Sequence, residues 1–340
     1  MTLFRRMSVT APLLLAVLGA LVLLSLGSGS VAISPGRVAA LLFDPAGAGA
    51  GEGVDVVIVR DIRLPRVLLA ALVGGALALS GVVMQGLFQN PMADPYVVGI
   101  SAGAALGATL SLSLAMNFWF LGLNSISLFA FAGALAASFL VYGISVRGGR
   151  LPVTVVLLTG VGIGSLATAL SSFLMLTTQS DLHRVLYWLL GSLGSRRWEH
   201  VQMLWPQTLA GALLLQVFAR DLNLVLLGEE EAHHLGVEVE RLKRLLLVVS
   251  SLLTASAVAV SGIVGFVGLV VPHVMRLLVG PDHRRLFPAS LLGGAVLLVA
   301  ADLLARTVIA PAEVPLGIIT AFLGCPFFLY LLNRRPEVGA

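Results

Sequence analysis

The sequence is poor in charge, and this scarcity excludes a soluble protein. Only 11% of the 340 residues are Asp, Glu, Lys or Arg, whereas 58% are hydrophobic. A soluble domain carries about a quarter charged residues, so a chain this apolar has too few polar side chains to coat a surface in water. The bilayer is therefore the expected solvent for most of its surface.

Cysteine and nucleotide-binding motifs are also scarce. Cys325 is the one cysteine, so the chain cannot form an internal disulfide or a cysteine metal site. It contains no phosphate-binding P-loop sequence, and no catalytic triad or metal triad stands out. We expect no catalytic residue, metal or cofactor in this chain. If ATP drives its activity, the ATPase is another chain.

Ten apolar runs predict an all-α polytopic membrane protein, because a span needs about 20 apolar residues. The predicted spans are 11–26, 67–87, 97–114, 121–141, 151–176, 201–218, 245–260, 264–278, 286–307 and 316–332. The first run follows Arg5 and Arg6 like a signal peptide, but further spans follow it, so we interpret it as a span. The run 264–278 is short and holds Pro272, which indicates a tilted or broken helix.

Basic residues indicate the orientation. With the N-terminus in the cytoplasm, 13 of the 21 Lys and Arg residues fall inside and the other 8 outside. Both termini are then cytoplasmic, and the protein is a multi-pass inner-membrane protein. The basic residues lie between apolar runs, as membrane topology requires, so we expect no nucleic-acid partner.

An internal repeat occurs at an offset of 181 residues. The sequence ALALSGVV at 76–83 reappears as AVAVSGIV at 257–264. The same offset maps Arg63 to Arg244, Pro91 to Pro272 and Gly99 to Gly280. The copies begin five spans apart and so have opposite orientation, which is typical of transporters; chance recurrence of small residues is the alternative. We predict one transmembrane domain, 1–340, with repeat halves at about 60–180 and 241–335 and a cytoplasmic loop at 220–244.

Four stretches carry a resemblance to a known family. They are QGLFQNPMADPY at 85–96 with GISAGA at 99–104, GEEEAHHLGV at 228–237, SGIVGFVGLVVPH at 261–273 and AEVPLGIITA at 312–321. Together they resemble the permease family of type II ABC importers for iron chelates (siderophores), haem and cobalamin, over about 37–335. Cys325 departs from the family, which often has Ala before this proline; both residues are small, so we expect an effect on packing only.

The resemblance implies the partners. It implies a homodimer with a central pathway, two cytoplasmic ATPase subunits that bind ATP and Mg²⁺, and an external substrate-binding protein. It leaves open which chelate is carried and whether the second permease is identical or a paralogue.

The resemblance assigns the loop 220–244 to coupling with the ATPase. Acidic residues favour the start of a helix, and Gly228 and Gly236 bracket a short one. The predicted coupling residues are Glu229, Glu230, Glu231, Ala232, Leu235 and Gly236. A solvated acidic loop is the alternative. The adjacent His233 and His234 do not share a helix face, so we do not expect them to chelate a metal.

A turn is predicted between the second and third spans, because Pro91 and Pro95 disfavour helix in the residues before them. The resemblance implies that Asn90, Pro91 and Met92 narrow the cytoplasmic end of the pathway as a gate. A tight hairpin without a gating role is the alternative.

External arginines break two local rules, since they oppose the positive-inside bias and, at a helix start, the helix dipole. The resemblance implies that Arg63, Arg66 and Arg306 pair with acids of the binding protein, and it leaves Arg60 uncertain. Snorkelling to lipid phosphate is the alternative. Asp302 lies one helical turn from Arg306 and is predicted to pair with it.

The fifth predicted span has a weakly polar face with Ser165, Thr168 and Ser172. The resemblance implies a pathway lining, whereas interhelical hydrogen bonding is the alternative. Two other function classes remain: an ion-coupled secondary transporter with inverted repeats, and an intramembrane enzyme. Both need buried charged or catalytic residues, and the scarcity of such residues argues against them.

Overall fold

The computed structural model describes residues 3–29, 31–43, 53–120, 122–177 and 182–333. Its helices are α1 (Leu3–Gly27), α2 (Pro35–Phe43), α3 (Val54–Val56), α4 (Leu64–Leu87), α5 (Ile100–Ser113), α6 (Ser125–Ser145), α7 (Val153–Thr177), α8 (Leu182–Leu189), α9 (Trp198–Val217), α10 (Ala219–Val225), α11 (Glu229–His234), α12 (Val239–Ser261), α13 (Val267–Val279), α14 (His283–Thr307) and α15 (Leu316–Asn333). A π-helical segment, Val57–Arg63, joins α3 to α4, and a 3-10 turn, Pro95–Val98, precedes α5. Two short antiparallel strands, β1 (Trp119–Phe120) and β2 (Leu123–Asn124), form a hairpin.

Ten of these helices lie where the ten apolar runs predicted spans. Six apolar stretches are long enough to cross a membrane, and the bent pair α9 and α10, with 54° between them, could make a seventh. The apolar helices α5, α13 and α15 are shorter. The prediction of about ten membrane helices is therefore confirmed, and the predicted short span is α13, with Pro272 inside it.

The helix α4 forms the centre of the fold. It is buried along most of its length and packs against α14, α12, α13 and α9. Glycines allow these close approaches: a Cβ at Gly74 would overlap the Gly294 carbonyl, and one at Gly81 would overlap the Gly268 carbonyl. Small residues therefore lie where α4 meets its neighbours and let the helix backbones approach closely, as in other helix contacts within membranes.

Loops meet at two ends of the molecule. At one end, which we name the α11 end, Gln89 Nε2 donates to Val225 O at 3.3 Å. At the other, the α8 end, Trp198 Nε1 donates to Arg60 O at 3.1 Å. The segments predicted inside thus meet at the α11 end, and those predicted outside meet at the α8 end, as an alternation of spans requires.

Residues that lie 181 positions apart in the proposed repeat do not have the same local structure. The helix α4 continues through Gly81, whereas Gly262 ends α12 with φ 71°. Pro91 lies in a turn, but Pro272 lies inside a helix. Gly81 lies against the Gly268 carbonyl of α13, whereas Gly262 ends α12 and lies against the Trp188 carbonyl, so the two aligned glycines have different surroundings. The repeat halves remain a prediction.

Candidate functional site

The short helix α11 lies in the predicted coupling loop, and its ends follow from its sequence. Gly228 (φ 133°) precedes it and Gly236 (φ 88°) follows it, conformations that favour glycine. Three glutamates occupy the first turn, where negative charge complements the helix dipole. We name residues 228–236 the α11 segment.

The α11 segment is fixed to α12. Glu229 Oε2 lies 2.6 Å from Lys243 Nζ, which also contacts Glu240 Oε1 at 3.2 Å. Lys243 is buried, and Ala232 is completely buried beneath the helix. Charge pairing and a small buried side chain therefore hold the segment against the membrane domain, so that a force on it can reach α12.

The outward face of the α11 segment is partly apolar. Leu235 is 62% exposed, next to the exposed acids Glu230 and Glu231. This outward face is free to contact another protein. The predicted coupling residues thus divide in two: Glu230, Glu231, Leu235 and Gly236 face outward, whereas Glu229 is paired. Ala232 packs inside the protein and is not placed to touch a partner directly. Its role in coupling remains a prediction.

The predicted turn after α4 is present and is held by its own side chains. Asn90 Oδ1 accepts from Met92 N at 3.0 Å, and Gln89 adopts a left-handed conformation with φ 44°. Asn90 is exposed, and Pro91 and Met92 are half-buried. The predicted gate residues therefore form one compact turn at the α11 end.

The segment that follows this turn is anchored to the connection between α12 and α13. Asp94 Oδ1 accepts from Tyr96 N at 2.8 Å, and the Tyr96 hydroxyl donates to Val264 O at 2.9 Å. Burial raises the pKa of Asp94 to about 6, although the hydrogen bond from Tyr96 N favours the carboxylate. The residues after the turn are consequently tied to the segment that joins α12 to α13.

Two predicted docking arginines cap the end of α1. Arg63 donates to Leu26 O at 2.7 Å and to Val31 O, and Arg306 donates to Ser28 O at 2.9 Å and also to Ser25 O. The last four carbonyls of a helix lack partners within it, and a cation there complements its dipole. These interactions explain why arginines occur where the local rules disfavour them.

Asp302 neutralises two arginines. Its carboxylate lies 2.9 Å from Arg66 and 3.5 Å from Arg306, and Arg66 also pairs with Glu313 at 2.7 Å. The predicted pair of Asp302 with Arg306 is confirmed. The pairing of Arg66 with Asp302 was not predicted, because the two residues lie 236 positions apart. We name Arg63, Arg66, Asp302, Arg306 and Glu313 the arginine cluster.

The arginine cluster is turned inward. Arg63 is 5% exposed and Arg306 is 7% exposed, and both guanidinium groups are occupied within the chain. Arg60 likewise donates to Leu41 O at 2.6 Å. Within the cluster, the Arg66 guanidinium reaches towards the surface through its pair with the half-exposed Glu313. Direct pairing with another protein is thus least accessible to Arg63 and Arg306.

The polar face of α7 lies at the edge of the fold. Ser165, Thr168 and Ser172 are exposed, and only 17% of the span is buried. The Thr168 hydroxyl donates to Gly164 O of the same helix at 2.9 Å, so that hydroxyl does not join α7 to a neighbouring helix. The face is available to a solute or to a second protein.

The fold and these surfaces define a polytopic α-helical membrane permease. A comparison with protein families matches residues 15–334 to the FecCD transport family. The chain therefore belongs to the FecCD transport family and is a multi-pass permease subunit of an ABC importer.

Individual relatives agree with this assignment. The cobalamin import system permease protein BtuC of Halobacterium salinarum is 50% identical over 284 residues, which cover 84% of this chain and 75% of that protein. The hemin transport system permease protein HmuU of Yersinia pestis is 47% identical over 281 residues, covering 82% and 83%. A solved structure described as an inward-facing conformation of a metal-chelate type ABC transporter matches with a TM-score of 0.84 at 31% identity, covering 96% and 99%.

Proposed function

We propose that this permease carries a metal chelate, haem or cobalamin inward, and that ATP hydrolysis by a separate chain drives the transport. The observation that carries this proposal is the α11 segment, which is fixed to α12 through Lys243 and presents Leu235 outward. Relatives named for cobalamin and for haemin are almost equally similar, at 50% and 47% identity. The proposal therefore names a substrate class and no single chelate.

The proposed complex contains two copies of this chain, two ATPase subunits that bind ATP and Mg²⁺, and an external substrate-binding protein. The largely exposed α7 supports a second permease copy. We expect a two-plus-two mass for the purified complex by native mass spectrometry. In proteoliposomes with the binding protein, uptake should require ATP on the ATPase side. Uptake that follows an ion gradient without ATP would instead support a secondary transporter.

The proposed orientation places the α11 end and both termini in the cytoplasm. A cysteine at Glu230, in a chain whose Cys325 is replaced by alanine, should react with a membrane-impermeant thiol reagent in inverted vesicles. It should not react in right-side-out vesicles. The opposite labelling pattern would show that the α11 end faces the outside of the cell.

The turn of Asn90, Pro91 and Met92 is proposed to close the cytoplasmic end of the pathway between the two permease copies. A cysteine at the exposed Asn90, again without Cys325, should cross-link between copies in the resting state and lose the cross-link when ATP binds. A control cysteine at Gly148, in another loop at the same end, should not cross-link. If Asn90 formed no cross-link in any nucleotide state, the turn would not be the gate.

The polar face of α7 is proposed to line the pathway. A cysteine at Thr168 should be modified by a small aqueous thiol reagent, and transported solute should slow the reaction. The apolar Leu176, also exposed on α7, is the control position. Equal reaction rates at Thr168 with and without solute would favour contact with lipid or with the second copy.

Docking of the binding protein is proposed at the arginine cluster, for which the family resemblance implied Arg63, Arg66 and Arg306. Glu313 already occupies the accessible side of Arg66. The substitution Glu313→Gln should therefore strengthen docking at low salt by a few-fold, because it releases Arg66 for an acid of the partner. The gain should disappear at high salt. Equal affinity of native and variant protein across a salt series would contradict direct pairing through Arg66.

A further inference from the structure

The short helix α10 lies between the α11 segment and the turn formed by residues 90–92, which we name the gate turn. The carbonyl of Val225, the last residue of α10, accepts two hydrogen bonds, from Gly228 N at 3.2 Å and from Gln89 Nε2 at 3.3 Å. Gly228 belongs to the α11 segment, and Gln89 directly precedes the gate turn. One backbone carbonyl therefore joins the predicted coupling loop to the predicted gate.

The last turn of α4, which leads into the gate turn, also packs against α10. A Cβ at Gly86 would lie 3.1 Å from Leu222 Cδ2 and 3.1 Å from His283 Nε2. Gly86 thus lets α4, α10 and the start of α14 meet at one point, where Leu222 and His283 are both buried. A densely packed interior transmits displacement. Movement of α10 therefore reaches the end of α4 by direct contact as well as through the hydrogen bond from Gln89.

Asn223 holds α10 against the first turn of α14. Its Oδ1 accepts from His283 N at 2.9 Å and from His283 Nδ1 at 2.7 Å, and its Nδ2 donates to Asp282 Oδ1 at 2.7 Å. Because the amide oxygen can only accept, the His283 ring carries a proton on Nδ1. Asp282 also accepts from Arg284 N at 3.0 Å and so caps α14. These bonds fix one side of α10 to the start of a long helix.

We propose that α10 transmits movement of the α11 segment to the gate turn, and that Asn223 is the positioning residue that keeps α10 aligned between them. The inference rests on the proposed function, because it requires an ATPase at the α11 segment and a gate at 90–92. It adds the route that connects the two. The pair of Glu229 with Lys243 leads instead to α12, so a substitution at Gln89 separates the two routes.

The substitution Gln89→Leu removes the hydrogen bond to Val225 O from an exposed side chain, so the protein should fold normally. The complex in proteoliposomes, with the binding protein, should hydrolyse ATP at close to the native rate. Uptake per ATP should fall by about fivefold, the factor that one lost hydrogen bond typically represents. A merely structural role would lower both rates together. Gln216→Leu is the matched control: Gln216 is also exposed and donates to a carbonyl, Arg284 O at 2.9 Å, but that bond involves neither α10 nor the gate turn, so uptake per ATP should stay native.

A pair of variants tests the positioning role of Asn223. Asn223→Asp sets a second carboxylate beside Asp282, and because like charges repel, it should loosen α10 from α14 and lower uptake per ATP. The exchange variant N223D/D282N restores one amide and one carboxylate at this contact and should recover uptake per ATP. The Q89L result decides the route even where N223D folds poorly. Native uptake per ATP in Q89L would overturn this inference and leave the proposed function intact, whereas a native complex without ATP-driven uptake would overturn both.

Discussion

Replacing Asp302 by alanine should destabilise the protein more than any other single removal of charge in the arginine cluster. Asp302 is buried and neutralises both Arg66 and Arg306. Its loss would leave two guanidinium groups with less compensation in a region with little water, and breaking a buried pair costs about 3–5 kcal/mol. We expect a clearly lower Tm in detergent and less folded protein in the membrane, measured by thermal denaturation and by size-exclusion chromatography.

The control for this prediction is Asp61→Ala, which removes an exposed carboxylate near the same end of α4. Its Tm should equal that of the native protein. The double variant D302A/R306Q should lose less than the sum of its single variants, because it also removes one uncompensated cation; such coupling amounts to about 0.5–3 kcal/mol. Additive losses, or a native Tm for D302A, would show that the carboxylate does not hold the cluster together.

The sequence predicted the membrane helices but not where each one begins. Hydropathy placed the start of the second span at residue 67, whereas the helix continues back through the π-helical segment to Val54. Because Arg60 and Arg63 are charged, they lower the hydropathy of this stretch, and the extension was therefore not predicted. Their guanidinium groups are satisfied by carbonyls of distant segments, Leu41 and Leu26, which hydropathy does not register.

Local features of the candidate sites were predictable, and long-range contacts were not. The turn at Asn90 and the glycines that flank α11 depend on neighbouring residues, so their sequence was sufficient. The burial of Ala232 depends on how the segment packs, and the pair of Arg66 with Asp302 joins residues 236 positions apart. Such contacts form only when the helices pack together, so a single sequence does not predict them.

Replacing Leu235 by aspartate should uncouple transport while leaving the fold intact. Leu235 is exposed at the end of the α11 segment, so a charge there should not disturb the packing of α12. In the proposed contact with the ATPase, however, the new carboxylate would be desolvated beside Glu230 and Glu231. We expect uptake and permease-stimulated ATP hydrolysis to fall by roughly tenfold or more, as for a central apolar contact residue worth about 2 kcal/mol. The Tm of the permease alone should not change.

Two further substitutions make this prediction specific. Val54→Asp places the same charge on an exposed apolar position at the α8 end, and it should preserve ATPase stimulation. Ala232→Leu should lower both the Tm and the stimulation, because no space surrounds this completely buried side chain. The contrast separates a contact residue from a packing residue within one short helix. If L235D stimulated the ATPase as well as the native chain, the outward face of α11 would not be the coupling surface, and force would have to enter the permease elsewhere at the α11 end.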